Sequence, residues 1–238
     1  MPSDQPHTPR PVSALLFDLD GTLLDTPRAI AEQFADAVES VTGTHPGLEN
    51  ARRLIGAPLE RMAGALSGSD PESDTARKVA DAYLARYREV IVPKAADLLF
   101  PGVHTGLDRF LDAGLLLAVV TSKKQQSAEL ILESAGLRGY FAAVVGADRA
   151  QHPKPHRDSA DVALAELGLT EPGPAGAVIG DTAADIQLGQ AISVFTIGVS
   201  YGVLSAEEIA ATGPDAIATT FDDVTSTVFT RIERGSTP

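Results

Sequence analysis

What most limits the fold of this 238-residue chain is a set of short apolar runs with no polar alternation, at residues 12–17, 115–120, 142–145, 175–179 and 194–199. A strand with one face in water alternates apolar and polar residues. A continuous apolar run instead fits a strand buried on both faces, as in a parallel sheet covered by helices on each side. The stretches between the runs supply those helices. Residues 103–113, 126–135, 159–167, 182–191, 206–211 and 222–232 read as helical, and Gly136 and Gly168 follow two of them as stop signals. Residues 216–218 offer a last short strand. This alternation predicts an α/β fold built on a parallel sheet.

One stretch breaks the alternation, because residues 27–99 carry helical signals only. Over 27–42, Ile30, Phe34, Ala37, Val38 and Val41 fall on one side of a helix. Residues 59–66 and 75–92 follow as helices, with a polar turn at 67–74 between them. Phe100-Pro101-Gly102 reads as the turn that re-enters the sheet. The expected organisation is a core of residues 11–26 and 100–235, with a helical domain of residues 27–99 inserted into it. Residues 1–10 hold prolines and polar residues but no apolar signal-peptide segment, and are expected to be a disordered tail.

Composition narrows the chemistry. With 44% hydrophobic and 21% charged residues the chain can bury a substantial core. No apolar run approaches the roughly 20 residues needed to span a bilayer. There are no cysteines, so disulfides, thiol catalysis and thiolate metal sites are excluded, and a reducing cytoplasm is the expected setting. The formal net charge of -13 argues against nucleic acid and anionic membranes as partners. An anionic small molecule would need local positive charge at its site.

In a parallel α/β sheet, ligands bind beyond the carboxyl ends of the strands. Asp18-Leu19-Asp20-Gly21-Thr22 follows the first run. In extended backbone its two carboxylates point to the same side, and Gly21 permits a sharp turn. One carboxylate can attack phosphorus while the other handles protons. Gly180-Asp181-Thr182-Ala183-Ala184-Asp185 follows the fourth run. Asp181 can bind a hard cation such as magnesium, which takes one or two carboxylates and keeps several waters. Asp185 lies one helical turn on, and both acids also suit a helix cap. Thr121-Ser122 offers hydroxyls for a phosphate oxygen, or a cap for the next helix. Lys154-Pro155 can neutralise a phosphoryl group, although a loop lysine is commonly just solvated. His152 and His156 flank it four apart, but Pro153 and Pro155 argue against a helix there, so no zinc site is expected.

Asp18 to Thr22, Thr121-Ser122, Lys154-Pro155 and Gly180 to Asp185, in that order, resemble the four motifs of the haloacid dehalogenase (HAD) superfamily. The resemblance runs from about Leu15 to Val224. It implies a Rossmann-like core, a helical cap of the C1 type, Mg2+ as cofactor and an aspartyl-phosphate intermediate. It also implies roles: Asp18 as nucleophile, Asp20 as acid and then base, and Asp18, the Asp20 carbonyl and Asp181 around the metal. Thr121, Ser122 and Lys154 would bind the phosphoryl group, with Asp185 in support. Phe100-Pro101-Gly102-Val103 and Thr121-Ser122-Lys123 are similar to phosphoglycolate phosphatase-like members. His156-Arg157-Asp158 and Ala191-Ile192-Ser193-Val194 depart from the usual family pattern without touching a catalytic atom.

The substrate implied is a small phosphorylated metabolite, acted on by a monomer or weak homodimer. Gly56-Ala57-Pro58 resembles a substrate-facing cap loop. Among Arg28, Arg52, Arg53 and Arg61, Arg53 is the candidate to select a second anionic group. Two alternatives remain at this stage: a β-phosphoglucomutase-like phosphomutase, and a non-catalytic binding or regulatory protein on the same fold.

Overall fold

The computed structural model describes residues 13–235; the expected tail at 1–10 and the Val12 end of the first strand lie outside them. The first strand, β1, is Ala14–Phe17. Four helices follow: α1 Pro27–Thr42, α2 Leu48–Arg52, α3 Leu59–Ser67 and α4 Asp74–Arg86. The chain then alternates α5 Val103–Asp112, β2 Leu116–Val120, α6 Gln125–Ser134, β3 Ala143–Val145, α7 Asp158–Glu166 and β4 Ala177–Gly180. It closes with α8 Ala183–Ala191, β5 Phe195–Val199, α9 Ala206–Ala211, β6 Ala216–Ala218 and α10 Phe221–Gly235.

All strand pairs are parallel, in the order β3-β2-β1-β4-β5-β6. Alternate residues of the strands feed two cores. Leu15, Phe17, Val119 and Ile179 face the side covered by α5, α6 and α10, where Phe17 packs against Phe110, Phe141 and Phe221. Leu16, Ala118, Val120 and Val178 face the side covered by α7 and α8. Burial on both faces is what the unalternated runs require.

The helical segment departs from expectation in two places. Residues 75–92 are not one helix: α4 ends at Arg86, Tyr87–Ile91 forms a wider π turn, and Val92–Leu98 a 3-10 helix. Pro93 is the cause, because it has no N–H to continue the α-helical ladder. The Val92 N–H bonds to Tyr87 O, five residues back. Helix α2 went unexpected because five residues are too few to show a period. The two strands of chain that enter and leave the segment are tied together: Asp25 N–H donates to Leu98 O at 2.7 Å, and Phe100 N–H to Leu23 O at 3.2 Å. No helix among the described residues is long and apolar enough to cross a membrane.

Candidate active site

Register brings the motif residues together. Phe17 pairs with both Val119 and Ile179, so the chain just past β2 and β4 flanks Asp18 with Thr121 and Asp181. The Asp18 N–H donates to Ile179 O at 2.9 Å, fixing the first residue beyond β1. Leu19 is fully buried, while Asp18 and Asp20 on either side of it both line one cavity. Gly21 has φ +87°, and a Cβ there would lie 2.0 Å from Asp181 Oδ2. Only glycine lets this turn pass so close to the carboxylate.

Lys154 is buried, not solvated. Its Nζ donates to Asp18 Oδ1 at 2.6 Å and to Asp185 Oδ1 at 2.6 Å. Burial opposes the ammonium charge, but Asp18 and Asp185 outweigh it and hold the pKa above the ordinary lysine value. For Asp18, burial is the largest influence and raises the carboxyl; Lys154 pulls it back, Asp185 and Asp20 push it up again, and it ends at about 7.

Asp185 does two jobs. Its Oδ2 accepts from Thr182 N–H at 3.0 Å and from Thr182 Oγ1 at 2.6 Å at the start of α8, while Oδ1 takes Lys154. Capping and site support therefore coexist. Asp20 is held from two sides. Its Oδ1 accepts from Thr26 Oγ1 at 2.7 Å, and its Oδ2 lies 3.1 Å from Lys123 Nζ. Lys123 in turn sits 4.3 Å from the centroid of the Tyr87 ring.

The Thr121-Ser122 pair is not a helix cap. The N-terminus of α6 is capped from another loop, where Asp148 Oδ1 accepts from Gln125 N–H at 2.7 Å. The Ser122 Oγ is buried with no hydrogen-bond partner. A buried hydroxyl without a partner costs free energy unless a ligand supplies one, and here it borders the cavity beside Asp18.

The donor set fits a hard divalent cation. Asp18, Asp181 and Asp185 place carboxylate oxygens within 4.8 Å of one another, all buried. Asp181 is fully buried, and burial followed by Asp18 and Asp185 raises its carboxyl well above the usual range. Its Oδ2 accepts from Val203 N–H at 2.7 Å, while Thr22 Oγ1 reaches Oδ1 only at 3.5 Å. Among the described residues, Lys154 is the buried cation bonded to these acids, through Asp18 and Asp185. Oxygen ligands, excess negative charge and the absence of thiolates are what magnesium prefers. Asp185 has both oxygens engaged, which leaves Asp18 and Asp181 as the side chains with room to ligate.

The arginines behave otherwise. Arg28 pairs with Glu32 and Arg53 with Glu49 on the exposed surface, and Arg52 reaches Val203 O at 3.4 Å. None of Arg28, Arg52, Arg53 and Arg61 lines the cavity. Gly56 does line it, and with φ +96° it brings the helical segment against Thr182 of the α8 turn, where a Cβ would lie 3.0 Å from Cγ2. His152 and His156 both contact Asp158 at 2.8 Å, half-exposed and outside the cavity. Three site contacts had no place in the sequence reading: the Lys123 and Thr26 side chains on Asp20, and the Val203 N–H on Asp181. Lys123 carried a signal, a cation directly after a strand-end hydroxyl pair. The Val203 N–H carried none, since every non-proline residue has one.

This arrangement, acids and a buried lysine gathered at the carboxyl ends of a parallel sheet under a helical segment, defines a class of hydrolase. The sequence matches the family described as haloacid dehalogenase-like hydrolase over residues 15–199, and the chain belongs to that family. It is 35% identical to the probable phosphatase IndB of Dickeya dadantii, over 94% of this chain and 96% of that one. It is 29% identical to a phosphoglycolate phosphatase of Salmonella typhi, over 90% of this chain and 91% of that one. In structure it is similar to a predicted phosphatase from Clostridium acetobutylicum, with TM-score 0.79, 26% identity and coverage of 92% of this chain and 99% of that chain.

Proposed function

We propose that this chain is a magnesium-dependent phosphatase that hydrolyses a small phosphomonoester through an aspartyl-phosphate on Asp18. The observation that carries the reading is Lys154 Nζ bridging Asp18 and Asp185 at 2.6 Å each, deep at the end of the sheet. A buried lysine bonded to the nucleophile orients its carboxylate and offsets charge when an anion arrives. The resemblance to phosphoglycolate phosphatase-like relatives lies in these motifs.

Asp18 attacks phosphorus, a new P–O bond forms on its carboxylate, and the bond to the leaving oxygen breaks. Asp20 gives that oxygen a proton. Asp20 then takes a proton from water, whose oxygen attacks the aspartyl-phosphate and frees phosphate and Asp18. Thr26 and Lys123 hold Asp20 in place for both transfers. Ser122 Oγ, Thr121 and Lys154 meet the phosphoryl oxygens. Asp18, Asp181 and the Asp20 carbonyl would hold magnesium, which supplies the positive charge that lets a dianion approach these acids. The helical segment 27–99 acts as the cap that excludes water.

The test is phosphate release from a panel of small esters by wild type and by Asp18→Asn, with magnesium and with chelator. Release that depends on both magnesium and Asp18 is expected. Release that survives in Asp18→Asn would rule out this nucleophile.

A further inference from the structure

The cavity above Asp18 has a floor and a roof of different chemistry. The floor comes from the sheet ends: Asp18, Asp20, Thr121, Ser122 and Lys123. The roof comes from the helical segment. Ile30 and Phe34 on α1, Ile55 before Gly56, Leu59 and Met62 on α3, and Leu84 on α4 line it. Its polar side chains are Tyr83 and Tyr87, and the Tyr87 hydroxyl is engaged with Ser127 O at 3.2 Å.

The cations that line the cavity stand on its floor side. Lys123 is bonded to Asp20 at 3.1 Å, and Lys124 to Glu60 at 2.5 Å. The arginines of the segment lie elsewhere, as described above. A leaving group carrying a carboxylate would leave water and find no cation among the described side chains of this roof, which costs free energy. A sugar would leave most of its hydroxyls without partners. An apolar group would gain from burial.

Building on the phosphatase reading, we infer that the substrate is a phosphomonoester of an apolar alcohol, aromatic or branched aliphatic. The cap contacts of Ile30, Phe34, Ile55, Leu59, Met62 and Leu84 select it. Selection works through area buried, so discrimination should grow with the size of the apolar group.

The experiment measures kcat/KM for ethyl, butyl and benzyl phosphate and for phosphoglycolate, with magnesium. All four release alcohols of similar leaving ability, so differences report recognition. Each methylene buried is expected to raise kcat/KM roughly fourfold, and benzyl phosphate should exceed phosphoglycolate by about tenfold or more. Leu84→Arg should reverse that order. Benzylphosphonate should inhibit wild type at lower concentration than phosphonoacetate, which reads binding apart from turnover and apart from any variant's folding. Phosphoglycolate turned over as well as or better than benzyl phosphate, with phosphonoacetate the stronger inhibitor, would overturn the inference and leave a phosphatase standing. No release from any ester would overturn the phosphatase reading and the inference together.

Discussion

Under one cavity lie four carboxylates and two lysines, fixed by bonds of 2.6–3.1 Å to one another or to nearby hydroxyls and amides. Over it lie mainly apolar side chains, which offer a ligand shape more than hydrogen bonds. The floor stands on strand ends, where a shift of a residue would turn a carboxylate to the wrong face. The roof stands on helices that share one hydrophobic cluster with the sheet, in which apolar residues of similar volume can replace one another. The difference teaches that chemistry and choice of substrate are specified separately. On that reading, a change of residue type in the floor should abolish the chemistry, and a change in the roof should shift selectivity while the chemistry stays.

Substitutions that remove one functional group from the floor should have the largest effects. Asp18→Asn keeps the shape and removes the proposed nucleophile, and turnover should fall by a factor of about 10^4 or more. Asp20→Asn should cost about 10^2 to 10^4, the usual share of proton transfer. A roof change of similar size, Ile55→Val, should leave turnover within about tenfold. Single-turnover phosphate release measures all three, and equal losses for floor and roof would break the comparison.

Next is stability. Lys154→Met leaves Asp18 and Asp185 buried without their shared cation. Breaking a buried pair by removing one partner costs about 3–5 kcal/mol. Urea denaturation in chelator should show that loss, and an unchanged midpoint would mean the lysine is not fixed between the two acids.

The two regions were unequally legible in the sequence. Asp18, Asp20, Asp181 and Asp185 stand just beyond apolar runs, and the strand rule alone puts them on one edge. Lys154 stood in a loop with no periodic signal, and only its place in the motif order singled it out. The Thr121-Ser122 pair was ambiguous between capping and ligand binding, because the rival cap, Asp148, lies beyond the next strand. The roof was the least legible part. The arginines stood out in the sequence because charge draws attention, but each of Arg28 and Arg53 closes an i,i+4 pair on its own helix or turn. Phe34 fell on the apolar side of its helix with Ile30 and Val38, and nothing in a helical period says which core residues border a cavity. Pro93 stands just past the expected 75–92 helix, and the wider turn that brings Tyr87 to the cavity upstream of it has no periodic signal of its own.

A smaller effect concerns the metal. Asp181 is buried among like charges, and its carboxyl is held above its unfolded value, so its ionised form works against folding at neutral pH. Asp181→Asn should therefore melt higher than wild type in chelator. Magnesium at about 100 times its Kd should stabilise wild type by about 2.7 kcal/mol, or about 5–10 °C, and the variant by much less. Thermal melts with and without magnesium read both. A variant that melts lower in chelator would show that Asp181 serves the fold more than the ion.

The smallest effect should come from the ion pair that joins floor to roof. Lys124 precedes α6 in the sheet domain, Glu60 lies on α3, and they meet at 2.5 Å with side chains 39% and 48% exposed. An exposed pair of this kind is worth about 1 kcal/mol or less. Glu60→Gln should thus raise KM by no more than about fivefold and change folding stability by no more than about 1 kcal/mol. Salt gives an independent handle, since the Debye length falls from about 8 Å at physiological ionic strength to about 3 Å at 1 M. Wild type at high salt should approach the variant, and the variant should lose that part of the salt dependence. If Glu60→Gln instead lowered kcat by tenfold with KM unchanged, roof closure would be governing the chemical step, and floor and roof could no longer be treated as separate.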